Sequence, residues 1–307
     1  MKGPKVAVRT VMRSSTSRFG TREVGLFYLT VMAVGWGLNW PAIKLLLREW
    51  PPLFARGTAG LTAALGLALV AALGGERLAV PRRSMGRLAV AATTNVFAWM
   101  GFATLSLLWL DAGEGALIVY TMPIWAMLLA WPLRGDRPTL ETFAATTLGI
   151  LGLGVLLAGQ DLALGIEKLP GVLFALGAAL AFAFGTVTLR SGLGLPPMAA
   201  VAWQVGLGCL PMVAFGLLVE RPAFGALSPA GAGAMAYMTV VPMGLCYLCW
   251  FAALKRLPPA TASLGTLLVP LVGVLTATLF LGEPLGVREV LALGLILGGV
   301  ALALRRI

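Results

Sequence analysis

The chain has 307 residues, a formal net charge of +11, 59% hydrophobic and only 11% charged residues, and a mean hydropathy of +0.92. A water-soluble domain carries about 25% charged residues, so this composition excludes an ordinary soluble fold. The basic balance does not indicate nucleic acid as a partner. Its cations are spread among short loops and the N-terminal tail, where they serve topology and contact with anionic lipid.

Residues 1–22 form a basic tail with no apolar core of signal-peptide length, so no cleavage is expected and the tail is read as mobile. After it come ten stretches able to cross a hydrocarbon core of about 30 Å, which takes roughly 20 apolar residues as a helix. They lie near 24–43, 52–73, 85–107, 113–132, 140–158, 170–189, 197–219, 230–254, 260–281 and 288–304. Continuous hydrophobicity without period-two alternation predicts helices rather than barrel strands. The breaks between them are mostly short and carry Pro, Gly or charge, as in Trp50-Pro51-Pro52 and Arg134-Gly135-Asp136-Arg137-Pro138. Trp50, Trp109 and Trp131 fall at span ends, the usual place of interfacial belt residues.

The cations orient these spans. With an inside N-terminus, the tail, the segment with Arg77, Arg82, Arg83 and Arg87, and the segments with Arg134, Arg137, Arg190, Lys255, Arg256, Arg305 and Arg306 all face inward. Only Lys44, Arg48, Lys168, Arg221 and Arg288 face outward, and Arg56 lies within the second span. This positive-inside bias places both termini in the cytoplasm.

The second half rereads the first. Gly35-Trp36-Gly37-Leu38-Asn39-Trp40-Pro41-Ala42-Ile43-Lys44 aligns without a gap on Ala181-Phe182-Ala183-Phe184-Gly185-Thr186-Val187-Thr188-Leu189-Arg190, and each run ends in a lone cation. Farther on, Leu140, Gly149 and Gly154 align with Leu285, Gly294 and Gly299. Five spans per half is an odd number, so the second half enters the membrane upside down. The expected architecture is an all-α integral membrane protein. It has ten transmembrane helices in two inverted five-helix repeats, residues 23–160 and 161–307, behind the 1–22 tail. Two such units meet across a pseudo-twofold axis, with a site near the midplane and two arrangements open to opposite sides, the geometry of a secondary transporter.

At this point the residues carry a family resemblance. The run Trp36 to Lys44, Pro52 with Arg56, Tyr120-Thr121-Met122-Pro123, Leu268-Val269-Pro270 and Gly282-Glu283-Pro284 resemble the signature of the EamA branch of the drug/metabolite transporter superfamily. The likeness covers residues 23–304, and within that branch it is greatest to bacterial aromatic amino-acid exporters of the YddG type. The resemblance implies a multi-pass protein of the bacterial inner membrane, with spans 1, 3, 4, 6, 8 and 9 lining a central cavity.

Candidate cavity residues on those spans are Asn39, Trp40, Asn95, Trp99, Tyr120, Thr121, Thr186, Tyr247, Trp250 and Ser263. Asn95 and Trp99 are four residues apart, hence on one helical face. Aromatic rings with a few amide and hydroxyl groups suit a zwitterion with a hydrophobic side chain. Trp99, Tyr120 and Trp250 have a second reading as helix-packing or lipid-facing residues. Candidates for gating or hinge roles are Lys44, Arg56, Pro123, Arg190 and Pro270; a prolyl residue inside a span removes a helical hydrogen bond, and Arg56 is near enough to its span end to snorkel. Gly149, Gly152, Gly154, Gly294 and Gly298 have the spacing of a close-packed helix seam.

The chain has no histidine, and its acids fall near span ends (Asp111, Glu114, Glu141). A buried group titrating near neutral pH is the usual requirement for proton coupling, so uniport or exchange is expected, with Glu114 the acid to test. Neither metal nor cofactor is expected, and no motif supports an enzyme; Cys246 and Cys249 lie within a span, where packing explains them. The expected partners are a small-molecule substrate, an amino acid or related metabolite, and membrane lipid, in a monomer or homodimer. The same fold with a drug, nucleobase or sugar-linked cargo, or a channel or scaffold, are the alternatives.

Overall fold

The computed structural model describes residues 16–137, 139–157, 162–189, 192–258, 261–262 and 265–304. Within them every regular element is a helix. Helix α1 runs Thr16–Gly37 and resumes after a turn at Leu38 as Asn39–Leu46. It is followed by α2 (Pro52–Leu73), α3 (Arg82–Ser106), α4 (Ala112–Arg134) and α5 (Leu140–Leu157). The second half contributes α6 (Leu162–Thr188), α7 (Pro197–Glu220), α8 (Pro229–Leu254), α9 (Leu268–Leu281) and α10 (Val287–Leu304). Among the described residues, seven helices are long and apolar enough to cross a membrane. Helix α1 starts within the stretch read from sequence as a mobile tail, so from Thr16 onward that stretch is helical.

Local chemistry sets the ends. Proline occupies the first turn of α2, α7 and α8, where a missing N–H costs nothing. Gly135 and Gly282 terminate α4 and α9 in the left-handed region, at φ 77 and 71. The outer faces stay apolar: Leu73 is 80% and Leu140 85% exposed, a surface suited to lipid rather than water. Trp109 and Trp131 are also exposed, whereas Trp50 is half-buried against Phe54 with ring centroids 5.1 Å apart.

The packing pairs repeat. Helix α1 packs on α8 and α9, and α6 packs on α3 and α4; α2 pairs with α7, α4 with α9 and α5 with α10. Exchanging each helix for the one five places later leaves this pattern unchanged. Two of the helix interruptions repeat as well. Tyr120–Thr121 form a turn inside α4, and Thr266–Leu267 form one before α9. A π-helical turn spans Ala92–Ala98 in α3 and another Val241–Leu245 in α8.

These interruptions revise the reading of the prolines. Pro123 and Pro270 do not sit in mid-helix; each lies in the first turn of a helix that restarts after a break. The break, rather than the proline, removes the hydrogen bonds, and proline is tolerated because no N–H is needed there.

The α5–α10 seam explains part of the glycine pattern. A Cβ on Gly152 would lie 3.0 Å from the Ile296 amide nitrogen and 3.2 Å from the Ala292 carbonyl, whereas Gly154 and Gly294 face open space. Gly152→Leu should therefore force α5 and α10 apart and lower unfolding stability by about 1–3 kcal/mol. Gly154→Leu should be close to neutral. Thermal unfolding of the two purified variants in one detergent checks the contrast.

Candidate functional site

A cavity of about 470 Å³ lies where the interrupted segments of α1, α3, α4 and α8 face one another. Its wall includes Asn39, Trp40, Asn95, Trp99, Tyr120, Thr186, Tyr247 and Trp250 from the sequence candidates, together with Arg56 and Pro123. Trp36, Thr104, Phe182, Gln204, Pro242 and Thr266 also line it and were not among the cavity candidates read from sequence. Trp36 was within reach of spacing alone, three residues before Asn39 and four before Trp40, hence on their face.

The rings brace one another. Trp36 meets Tyr247 edge-on at 5.6 Å and Trp250 at 6.3 Å, Trp40 lies 6.4 Å from Tyr120, and Trp99 lies 5.2 Å from Phe182. The Trp36 indole donates to the Pro242 carbonyl at 2.8 Å, so the π-turn in α8 holds a ring in place. Asn95 is positioned by two contacts: Thr94 Oγ1 donates to its Oδ1 at 3.2 Å, and its Nδ2 donates to Gln204 Oε1 at 3.5 Å. Gly185, opposite, leaves the space that the Thr94 and Asn95 side chains occupy. Because residues 92–98 are π-helical, the shared face of Asn95 and Trp99 comes from the cavity geometry rather than from α-helical spacing.

Other candidates lie elsewhere. Thr121 is 2% exposed and bound up in the α4 break: its hydroxyl donates to the Ile118 carbonyl at 2.6 Å and accepts from the Trp125 indole at 3.0 Å. Pro270 is buried away from the wall. Ser263 and Arg190 lie outside the described residues. Arg56 does not snorkel; it is 5% exposed and belongs to the cavity wall.

One end of the bundle is densely tied. Glu220 accepts from the Leu53 and Phe54 amides at 3.0 and 2.8 Å, and Glu283 from those of Ala112 and Gly113 at 2.7 and 3.0 Å. Glu49 accepts from the Ser228 amide at 2.7 Å and its hydroxyl at 2.5 Å. Each carboxylate thus satisfies orphan N–H groups at the start of another helix. Lys44 does the converse, donating to the Leu107 and Leu110 carbonyls at 2.7 and 2.6 Å past the end of α3. Glu114, 6% exposed, pairs with Lys168 at 2.8 Å. At the opposite end, Glu76 accepts from Met198 and Ala199 at 3.4 and 2.8 Å, so α2 and α7 cap each other reciprocally. Cavity-lining positions run from Arg56, one turn from the tied end, to Val201 and Thr266 near the opposite end.

Burial pushes the Glu283 carboxyl up, against the pull of its two amide donors. The Ser228 hydrogen bonds hold the Glu49 carboxyl below the usual carboxylate range. A depressed acid stabilises the fold above its unfolded-state value, and that contribution is lost as pH falls through the folded-state value. Glu49→Gln should therefore lower the thermal midpoint at neutral pH and match the wild type once Glu49 is protonated. Unfolding curves of both proteins across the acid range test the sign.

Comparison with known proteins places this geometry. The EamA-like transporter family profile matches residues 23–158 and 169–305. The chain is 27% identical over 275 residues to the uncharacterized transporter YvbV of Bacillus subtilis (strain 168), covering 89% of each chain. It is 27% identical over 294 residues to a probable amino-acid metabolite efflux pump of Salmonella typhimurium, covering 91% of this chain and 94% of that one. A solved crystal structure superimposes with a TM-score of 0.62 at 21% identity, over 94% of this chain and 99% of the other, a likeness of fold.

Proposed function

The chain belongs to the EamA-like transporter family, and from that premise we propose that it exports amino acids, aromatic or hydrophobic ones foremost, across the bacterial inner membrane by alternating access. The observation that carries this reading is the cavity. Its volume of about 470 Å³ falls in the range of small-molecule sites, about 300–1,000 Å³. Its wall combines braced indole and phenol rings with a small set of amide and hydroxyl groups. Such a wall packs an apolar side chain and orients a polar backbone at the same time. The name of the Salmonella relative, a probable amino-acid metabolite efflux pump, supports a cargo of related class.

The architecture in this reading is two inverted five-helix repeats, residues 23–160 and 161–307, behind the 1–22 tail, with ten spans and both termini cytoplasmic. The exchangeable packing pairs and the recurring helix breaks support it. With that orientation the tied end faces outward and the cavity extends toward the cytoplasm. Export then requires the Glu49, Glu220, Glu283 and Lys44 ties to release at a hydrated surface, where freed groups find water. The pseudo-symmetry supplies a second arrangement in which the other end closes.

Among the described residues that line the cavity, none is an acid. Glu114 is paired with Lys168 at the tied end. Movement is therefore uniport or exchange, driven by the cargo gradient.

Counterflow in proteoliposomes tests the whole reading. Internal L-phenylalanine should accelerate uptake of the labelled amino acid, and Trp99→Ala or Trp250→Ala should weaken apparent affinity by about tenfold, or ~1.4 kcal/mol. An imposed pH gradient should leave exchange unchanged. Exchange with no amino acid, ohmic conductance without trans-stimulation, or pH-driven uptake abolished by Glu114→Gln would each overturn the corresponding part.

A further inference from the structure

The cavity wall holds an unanswered charge. Arg56 is 95% buried by its 5% exposure, and its Nε and Nη1 have no hydrogen-bond partner. The ion pairs among the described residues lie elsewhere, at Arg134–Asp136, Lys168 with Asp111 and Glu114, and Arg288–Glu289. Glu220, which ends the helix paired with α2, is committed to the Leu53 and Phe54 amides at the start of the helix that carries Arg56. An unpaired guanidinium out of water is among the costliest groups a fold can keep. An ionisable side chain kept inside a membrane protein marks a site whose partner must be named.

The partner's chemistry follows from the donor. Guanidinium is always charged and presents planar N–H groups that match a carboxylate in a two-pronged contact. Arg56 also sits in the second turn of α2, where the positive end of the helix adds to its field. Two further buried polar atoms on the same wall lack partners: the Trp99 Nε1, a donor, and the Asn39 Oδ1, an acceptor. Donors for an anion and an acceptor for an ammonium group are the complement of a zwitterion.

Resting on the reading that this cavity is the cargo site, we propose that Arg56 receives the cargo's carboxylate, so a free carboxylate is a requirement for transport. Asn39 faces the ammonium group, and the rings take the side chain. The cargo is then an α-amino acid rather than an amine, an amide or a cationic drug. In this assignment Arg56 is a specificity-determining residue rather than a gate.

The experiment compares L-phenylalanine with L-phenylalaninamide, which keeps the ring and ammonium group but lacks the carboxylate. In counterflow the wild type should prefer the acid by at least about tenfold, and Arg56→Gln should bring that ratio toward one. Arg56→Lys, which keeps the charge without the planar fork, should fall between. Trp250→Ala, which removes a ring but none of these unpartnered donors, should weaken transport of the acid and leave the selectivity of Arg56 in force. If Arg56→Gln keeps the full preference while Trp250→Ala impairs transport, the Arg56 assignment fails and the cavity reading stands. If both variants transport as the wild type does, the cavity reading itself fails.

A binding measurement covers the case of a variant that does not fold. L-Phenylalanine should raise the thermal midpoint of the full-length wild type, and the amide should not; equal shifts would overturn the proposal. A midpoint raised by chloride over gluconate, with nothing added by L-phenylalanine, would assign the guanidinium to an inorganic anion and overturn it as well. Removing an unanswered charge should not destabilise the empty protein, so Arg56→Met is expected to unfold no earlier than the wild type. A clear fall in its midpoint without cargo would point to an internal partner instead.

Discussion

Hydrocarbon offers no hydrogen bonds, so every backbone N–H and C=O crossing it must be satisfied within the protein. That constraint explains why every regular element among the described residues is a helix and why breaks within helices occur where they do. The breaks at Leu38, Ala92–Ala98, Tyr120–Thr121 and Val241–Leu245 all adjoin the central cavity. Several freed groups are answered locally, as when Thr121 closes onto the Ile118 carbonyl and Trp36 onto that of Pro242. At the helix ends, Glu49, Glu76, Glu220 and Glu283 perform the same service across the chain. An acid placed just beyond one helix caps another, and this ties antiparallel neighbours from different halves together.

The same constraint shapes the cavity wall. Aromatic rings brace one another in the middle of the bundle, and the acids are concentrated at its ends. One guanidinium is left facing the cavity without a counter-charge. Interior charge is tolerable where a ligand or water can answer it and costly elsewhere.

Much of this was legible in the residues. Asn39, Trp40, Trp99, Tyr120, Tyr247 and Trp250 were nameable as cavity candidates because the family resemblance implied which spans line a cavity and these are the polar and aromatic residues on them. The orientation of Arg56 was not legible, since a residue one turn into a span can snorkel or point inward, and only its neighbours decide. Thr121 had the right type and place but spends its hydroxyl on the α4 break. Pro123 and Pro270 announced irregular backbone correctly, yet the break precedes each of them. Gln204 escaped notice because a single amide in a long apolar helix has no pattern around it.

By itself, the sequence determined that the chain is helical and membrane-embedded, that its halves echo each other, and which segments carry polar and aromatic side chains. Those properties follow from composition and from spacing along one chain. Which helix faces which, which carboxylate caps which distant amide, and which cation is left unanswered were decided only by tertiary structure. The physical reason is that satisfaction of a polar group is a property of pairs. Glu220 and Leu53 are far apart in the chain, and that Arg56 Nε and Nη1 have no partner shows only once the helices are packed.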